Sequence, residues 1–105
     1  MPTTDPDAAL WQAARDTEAR IVAAYEARAT GSDAVAPIYA AALARHRAHL
    51  AALGGPPASL AEGPVPPNAG TVAALTQAAV TVRSGAKAAV LASIAASHLA
   101  EDVKP

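Results

Sequence analysis

Apolar positions recur along this chain at intervals of three and four residues, which is the spacing of one face of an α-helix. Residues 39–53 show this pattern most clearly. Their apolar face consists of Tyr39, Leu43, His46, Leu50 and Leu53. A histidine thus occupies a position expected to be buried. Whether its imidazole packs in a core or binds a ligand is the main functional question that the sequence raises.

The same periodicity predicts four helical segments, at about residues 6–30, 34–53, 71–83 and 86–103. Asp5-Pro6-Asp7 supplies a capping carboxylate, a proline for the first helical position and an acid that favours the helix dipole. Ser32-Asp33 offers a cap for the second helix, and Gly54-Gly55-Pro56-Pro57 ends it. Residues 54–70 hold five prolines and four glycines, which predicts an extended crossover long enough to span a bundle.

The C-terminal third leaves two architectures open. An apolar stripe continues from Val72 to Ser97, but Ser84-Gly85 interrupts it midway. The chain either turns there to make a third and a fourth helix, or continues as one helix of about thirty residues. Glycine inside a helix costs only about 1 kcal/mol relative to alanine, so it does not decide between them. A single long helix would expose an apolar face and require a dimer, and self-association is predicted in either case.

Composition supports an all-α fold in one domain, residues 1–105. Apolar types make up 52% of the chain, but 32 residues are alanine and none is phenylalanine. A core with so few large side chains brings helices close together through their alanines. The sequence therefore predicts an antiparallel up-and-down helical bundle.

Charge and residue content exclude several classes of function. The net charge of −1 argues against nucleic acid as a partner, and no apolar run reaches the length of a membrane span. The absence of cysteine excludes disulfides and thiolate metal sites. No signal peptide precedes Trp11, which predicts a cytoplasmic protein, or an exported or envelope domain if a leader was removed.

Three blocks resemble the small alanine-rich, ferritin-like domain of unknown function found in high-GC bacteria. They are Glu18-Ala-Arg-Ile-Val-Ala-Ala-Tyr25, Leu43-Ala-Arg-His-Arg-Ala-His-Leu-Ala-Ala-Leu-Gly-Gly55 and Val90-Leu-Ala-Ser-Ile-Ala-Ala-Ser97. The resemblance implies an antiparallel four-helix bundle and says little about activity. Only residues 71–83 are available for the third helix, which is short for that family.

Candidate metal ligands lie on three of the predicted helices. A di-iron site of the ferritin type needs a Glu from each of two helices and Glu-x-x-His from the other two, and this chain has no Glu-x-x-His. It has His46 and His49 three residues apart, His98 and Glu101 three residues apart, and Glu18 on the first helix. These residues predict a single transition-metal site, for which imidazole ligands favour Zn, Cu or Ni.

A second interpretation needs no metal, and the sequence alone favours it. His46 then packs in the core with its nitrogens against Glu18 or a backbone carbonyl, and His49 is solvated at the edge of the stripe. His98, Glu101 and Lys104 supply ordinary electrostatics in the last helical turn. No serine lies in a nucleophile motif. This interpretation predicts a non-catalytic binding or structural module without a cofactor.

Overall fold

The computed structural model describes residues 5–57 and 64–101, in which every regular element is an α-helix. The helices are α1, Pro6–Ala29; α2, Ala36–Ala52; α3, Asn68–Thr81; and α4, Gly85–Leu99. The all-α class and the helical bundle predicted from periodicity are confirmed. None of the helices in these described ranges is long and apolar enough to cross a membrane.

The start of α1 follows the sequence prediction. The Asp5 carboxylate accepts the backbone N–H of Asp7 at 3.0 Å, and Pro6 is the first helical residue. This cap satisfies one of the N–H groups that a helix start leaves without a partner. The helix ends at Ala29, with Thr30 as its C-terminal cap, within one residue of the predicted boundary.

The start of α2 differs from the prediction. The cap position is Val35, which provides no side-chain hydrogen bond, and Pro37 is the second helical residue. Asp33 contributes its backbone carbonyl, which accepts the N–H of Ala36 at 3.2 Å, instead of its carboxylate. The predicted apolar face is confirmed, because Tyr39, Leu43, His46, Leu50 and Leu53 are all between 1% and 7% exposed.

Two glycines end α2 as predicted. Gly54 and Gly55 have φ angles of 104° and 90°, in the left-handed region that residues with a Cβ rarely adopt. Side chains of α1 then hold this end of α2. The Trp11 indole N–H donates to the Leu53 carbonyl at 2.9 Å, and Arg15 donates to the Gly55 carbonyl at 3.1 Å.

A turn separates α3 from α4, which selects the four-helix alternative over one long helix. The backbone is extended at Val82 and Ser84, and the Ser84 hydroxyl caps α4 by accepting the N–H of Lys87 at 3.2 Å. The Asp7 carboxylate accepts the N–H groups of Arg83 at 2.9 Å and Ser84 at 3.0 Å. Asp7 was predicted to favour the dipole of its own helix, and it also fixes the turn between α3 and α4.

The predicted apolar stripe from Val72 to Ser97, interrupted at Ser84-Gly85, is confirmed only in part. Its members Leu75, Val82 and Ile94 are buried, whereas Ala86 is exposed. The face that α4 buries consists of Leu91, Ile94, Ala95 and His98. The third helix also begins at Asn68, three residues before the predicted start. Two further predicted features, the crossover residues 58–63 and the helical residues 102–103, lie outside the described residues.

The helices form two hairpins, which we call the first hairpin (α1 and α2) and the second hairpin (α3 and α4). Each hairpin is tightly packed within itself, whereas α1 and α3 meet over a shorter stretch. One apolar cluster joins the hairpins and centres on residues of α3 and α4, among them Leu75, Leu91 and Ile94. A second cluster lies within the first hairpin, around Ile21, Tyr25 and Tyr39. The polar residues discussed next lie between these clusters.

A pair of substitutions in α4 tests this core. Leu91 is 0% exposed, and truncation of a buried leucine to alanine typically costs about 2–5 kcal/mol of unfolding free energy. We therefore expect Leu91→Ala to lose that much in urea denaturation. Leu99→Ala makes the same change at a side chain that is 74% exposed, and should change stability by less than about 0.5 kcal/mol. Equal losses in the two variants would contradict the described packing.

Candidate metal centre

Four of the five predicted ligands come together in the interior of the bundle. They are Glu18 on α1, His46 and His49 on α2, and His98 on α4, and each offers one ligand atom within 4.8 Å of the others. Glu18, His46 and His98 are each 1% exposed. The spacing of three residues between His46 and His49 places both imidazoles on the same face of α2.

The Glu18 carboxylate lies at the centre, with an imidazole nitrogen from each histidine beside it. Its Oε2 lies 2.7 Å from His46 Nδ1. Its Oε1 contacts His98 Nε2 in a short hydrogen bond and lies 3.4 Å from His49 Nδ1. Three inward-facing nitrogens and one carboxylate oxygen thus converge on a shared space.

His46 lies between two carboxylates. Its Nδ1 faces Glu18, and its Nε2 faces Glu101 at 2.8 and 3.0 Å. Ionised carboxylates only accept hydrogen bonds, so His46 can satisfy both of them only as an imidazolium with a proton on each ring nitrogen. Burial lowers the pKa of His46, but Glu18 and Glu101 raise it, and the balance leaves the pKa above its ordinary value of 6.5.

The orientation of the His98 ring is fixed by Asn68, the first residue of α3. The amide nitrogen of Asn68 donates to the backbone carbonyl of His98 at 2.8 Å. A carbonyl can only accept, so the amide oxygen must face the ring, where it lies 3.0 Å from His98 Nδ1. Nδ1 therefore donates to Asn68, and Nε2 is the nitrogen that points into the cluster.

His49 has one satisfied nitrogen and one without a partner. Its Nε2 lies 2.9 Å from the hydroxyl of Ser97 on α4. Its Nδ1 is buried and makes no hydrogen bond, because the approach to Glu18 Oε1 at 3.4 Å is only a loose contact. A buried nitrogen without a partner costs about 1–3 kcal/mol, so this atom is a weak point of the network and an available ligand.

The histidines keep Glu18 ionised despite its burial. Burial alone raises the pKa of Glu18, but the hydrogen bonds with His46 and His98 and the nearby His49 ring outweigh it and hold the pKa well below its ordinary value. The pKa of Tyr25 is shifted upward instead. The ring of Tyr25 meets that of His46 edge-on, with 5.2 Å between their centroids. Burial, together with the charge of Glu101, raises the pKa of Tyr25 to about 12, so its phenol stays protonated.

Several sequence predictions for these residues need correction. The predicted pairing of His46 with Glu18 is present, but His49 was predicted to be solvated and instead lies inside the cluster. His98 was assigned to last-turn electrostatics and is in fact buried against Glu18. Its proposed neighbour Lys104 lies outside the described residues.

Glu101 was predicted as a fifth metal ligand, and the structure places it outside the group of four, on the far side of His46. Its carboxylate bonds the far side of the His46 ring and pairs at 3.4 Å with Arg45, whose side chain is 44% exposed. The two members of the predicted His98 and Glu101 pair therefore face different groups, His98 the Glu18 carboxylate and Glu101 the far side of the His46 ring. Glu101 instead holds His46, the residue that approaches Glu18.

Asn68 and Ser97 were not identified as site residues from the sequence. Asn68 was included in the crossover, although Asn is common near the start of a helix. Ser97 was noted only as a member of an apolar stripe. No sequence signal links Ser97 with His49, because that contact depends on how α4 lies against α2.

Comparison of the chain with protein-family models, with curated proteins and with solved structures gave no match. The interpretation of the site therefore rests on its geometry. One carboxylate oxygen and three imidazole nitrogens, all buried and close together, form a group that could hold a metal ion.

The charges of Glu18 and His46 predict how the stability of the metal-free protein depends on pH. Since the folded pKa of His46 is raised, its contribution is complete below 6.5 and is lost as pH rises through the folded value. The folded pKa of Glu18 is lowered, so its contribution is present above 4.5 and is lost only in acid. In a chelating buffer we expect the Tm to fall as pH increases from 6.5 to 9.

His46→Gln provides the comparison for this measurement, since it removes the titrating group and keeps a polar side chain. The Tm of this variant should be lower than that of the native protein at pH 6 and nearly constant above it. A variant that loses Tm with increasing pH as steeply as the native protein would show that another group carries the dependence.

Proposed function

We propose that this protein is a transition-metal-binding helical bundle that holds one ion through Glu18, His46, His49 and His98. The single observation that carries the proposal is the convergence of three imidazole nitrogens on one carboxylate. Three nitrogen ligands and one oxygen ligand suit Zn²⁺, which is usually bound in tetrahedral geometry at about 2.0–2.2 Å. Cu²⁺ and Ni²⁺ are the principal competitors, because imidazole suits all three ions.

The surroundings of the three rings support metal binding. Histidines that bind metals usually make a hydrogen bond through their other nitrogen, which orients the ring and increases its basicity. Here each outer nitrogen has such a partner, namely the Glu101 carboxylate, the Ser97 hydroxyl and the Asn68 amide oxygen. The inner nitrogens are Nδ1 of His46, Nδ1 of His49 and Nε2 of His98.

Simple packing explains the cluster less well. One histidine between Glu18 and Glu101 would suffice to neutralise a buried carboxylate, and a second would complete its hydrogen bonds. The third, His49, brings a buried Nδ1 that finds no partner. A metal ion would give this nitrogen a partner and would replace the protons that His46 Nδ1 and His98 Nε2 share with Glu18. Binding should therefore release protons from both histidines.

Four protein ligands in a buried site favour binding over catalysis. Catalytic zinc usually keeps an open position for water or substrate, whereas structural zinc is enclosed by four protein ligands. The proposed site belongs to the second kind. The protein then acts as a non-catalytic module that holds a metal for stability or for transfer.

The ferritin-like relationship inferred from the sequence blocks is part of this proposal. Support comes from the four helices, from the long connection between α2 and α3, and from ligands that face the interior of the bundle. The site would be a reduced one, with one carboxylate in place of the four that a di-iron centre uses. A homodimer stays a prediction, and the turn between α3 and α4 removes the argument for it that rested on one long helix.

Metal binding can be measured directly on protein stripped with a chelator. We expect a competition titration at pH 7.5 to give one Zn²⁺ per chain. Loss of a residue that merely orients a ligand typically lowers metal affinity about 10–100-fold. Loss of a ligand should cost at least as much, so Glu18→Gln and His49→Ala should both weaken binding by that factor or more.

Glu26→Gln is the matched control, since Glu26 lies on the same helix with a side chain that is 58% exposed. It should bind zinc like the native protein. Free zinc at about 100 times the dissociation constant should stabilise the native fold by about 2.7 kcal/mol. A native protein that takes up no stoichiometric Zn²⁺, Cu²⁺ or Ni²⁺, and whose Tm ignores all three, would refute the proposal and leave the packed network as the explanation.

A further inference from the structure

We infer that the metal site is also a latch, which docks one end of the second hairpin onto the first hairpin when the ion binds. This inference rests on the proposed function and adds a conformational consequence to it. The latched end consists of the start of α3 at Asn68 and the end of α4 at His98. The opposite end of the second hairpin is the turn at residues 82–84.

The ligands are divided unequally between the hairpins. Glu18, His46 and His49 belong to the first hairpin, and His98 belongs to the second. The first hairpin alone can therefore offer three ligands to an ion. The fourth ligand becomes available only when the end of α4 lies against α1 and α2.

The turn end of the second hairpin is held by contacts that need no metal. The Asp7 carboxylate accepts two backbone N–H groups, from Arg83 and Ser84. Next to it, the apolar cluster that joins the hairpins includes Val82 and Leu91. These contacts supply a fixed point about which the other end can move.

The latched end carries the polar network, beside an apolar contact of Val65 with the cluster around Ile21. Its described contacts with the first hairpin include Glu18 with His98, His46 with Glu101, and His49 with Ser97. Asn68 joins α3 to α4 through its two hydrogen bonds with His98, at 2.8 and 3.0 Å. Movement of His98 toward a bound ion would therefore move both the end of α4 and the start of α3.

The interface between the hairpins is incompletely filled beside the site. A groove of about 330 Å³ lies between α1 and α3 and reaches Glu18. Small side chains, among them Ala13, Ala74 and Ala78, leave this space open. Movement of α3 relative to α1 therefore meets little packing resistance there.

The coupling follows from the number of ligands in each state. An ion bound with the second hairpin docked has four ligands, and an ion bound with its end released has three. A ligand shifts a conformational equilibrium by its difference in affinity between the two states. The fourth ligand, His98, provides that difference, so zinc should increase the docked population.

The absence of cysteine from the chain allows the distance to be measured with nitroxide labels at introduced cysteines. Ala44 on α2 and Ala69 on α3 are both exposed and span the latched end. Ala8 on α1 and Val80 on α3, also exposed, span the turn end and provide the control pair. Double electron–electron resonance would be recorded for each pair with chelator and with one equivalent of Zn²⁺.

We expect zinc to shorten and narrow the distance distribution of the Ala44→Cys/Ala69→Cys pair and to leave the control pair unchanged. His98→Gln should still bind zinc, more weakly, and should abolish the narrowing. Should that variant fail to fold, Asn68→Ala serves in its place and should reduce the narrowing.

Stoichiometric zinc with an unchanged distribution at the latched end would overturn the latch while leaving the metal site intact. So would equal narrowing at both ends. Failure to bind zinc would overturn the proposed function, and the latch with it.

Discussion

A buried carboxylate must be matched by positive charge or by hydrogen-bond donors, and Glu18 imposes this requirement on the centre of the bundle. Its side chain is 1% exposed, and its oxygens meet ring nitrogens from two other helices. Those rings are in turn held by Glu101, Ser97 and Asn68, so the requirement extends to every helix. Removing one partner leaves a buried charge or an unpaired nitrogen. The polar network is thus one arrangement in which each member depends on the others.

This requirement connects the fold to the proposed chemistry. One apolar cluster joins the two hairpins and the other fixes α1 against α2, and the polar network also lies where the hairpins meet. In the metal-free state, ring N–H groups of His46 and His98 donate hydrogen bonds to Glu18. In the proposed metal-bound state, a divalent ion would take the place of those protons and would also bind the unpaired Nδ1 of His49. The same residues would then stabilise the fold without the metal and hold the ion when it binds.

The sequence predicted the parts of this arrangement that depend on local spacing. The steps of three and four residues identified five of the buried positions in and just after α2, and the placement of Glu18 on α1 identified its pairing with His46. The burial of His98 could not be predicted. The extended residues at Val82 and Ser84 rotate the face of α4 that meets the core, and the spacing of apolar residues does not give the size of that rotation. The contact of Ser97 with His49 joins residues 48 positions apart and depends on the docking of the hairpins. Asn68 was not recognised as the first residue of α3, because it follows two prolines in the predicted crossover.

X-ray absorption spectroscopy of the zinc-loaded protein identifies the atoms bound to the ion. We expect four ligands at about 2.0–2.2 Å, with the outer-shell scattering of three imidazole rings and one carboxylate oxygen. The imidazole scattering should decrease by one ring in His49→Ala. A spectrum with six oxygen or nitrogen ligands and no more than one imidazole would place the ion elsewhere on the protein and rule out the proposed site.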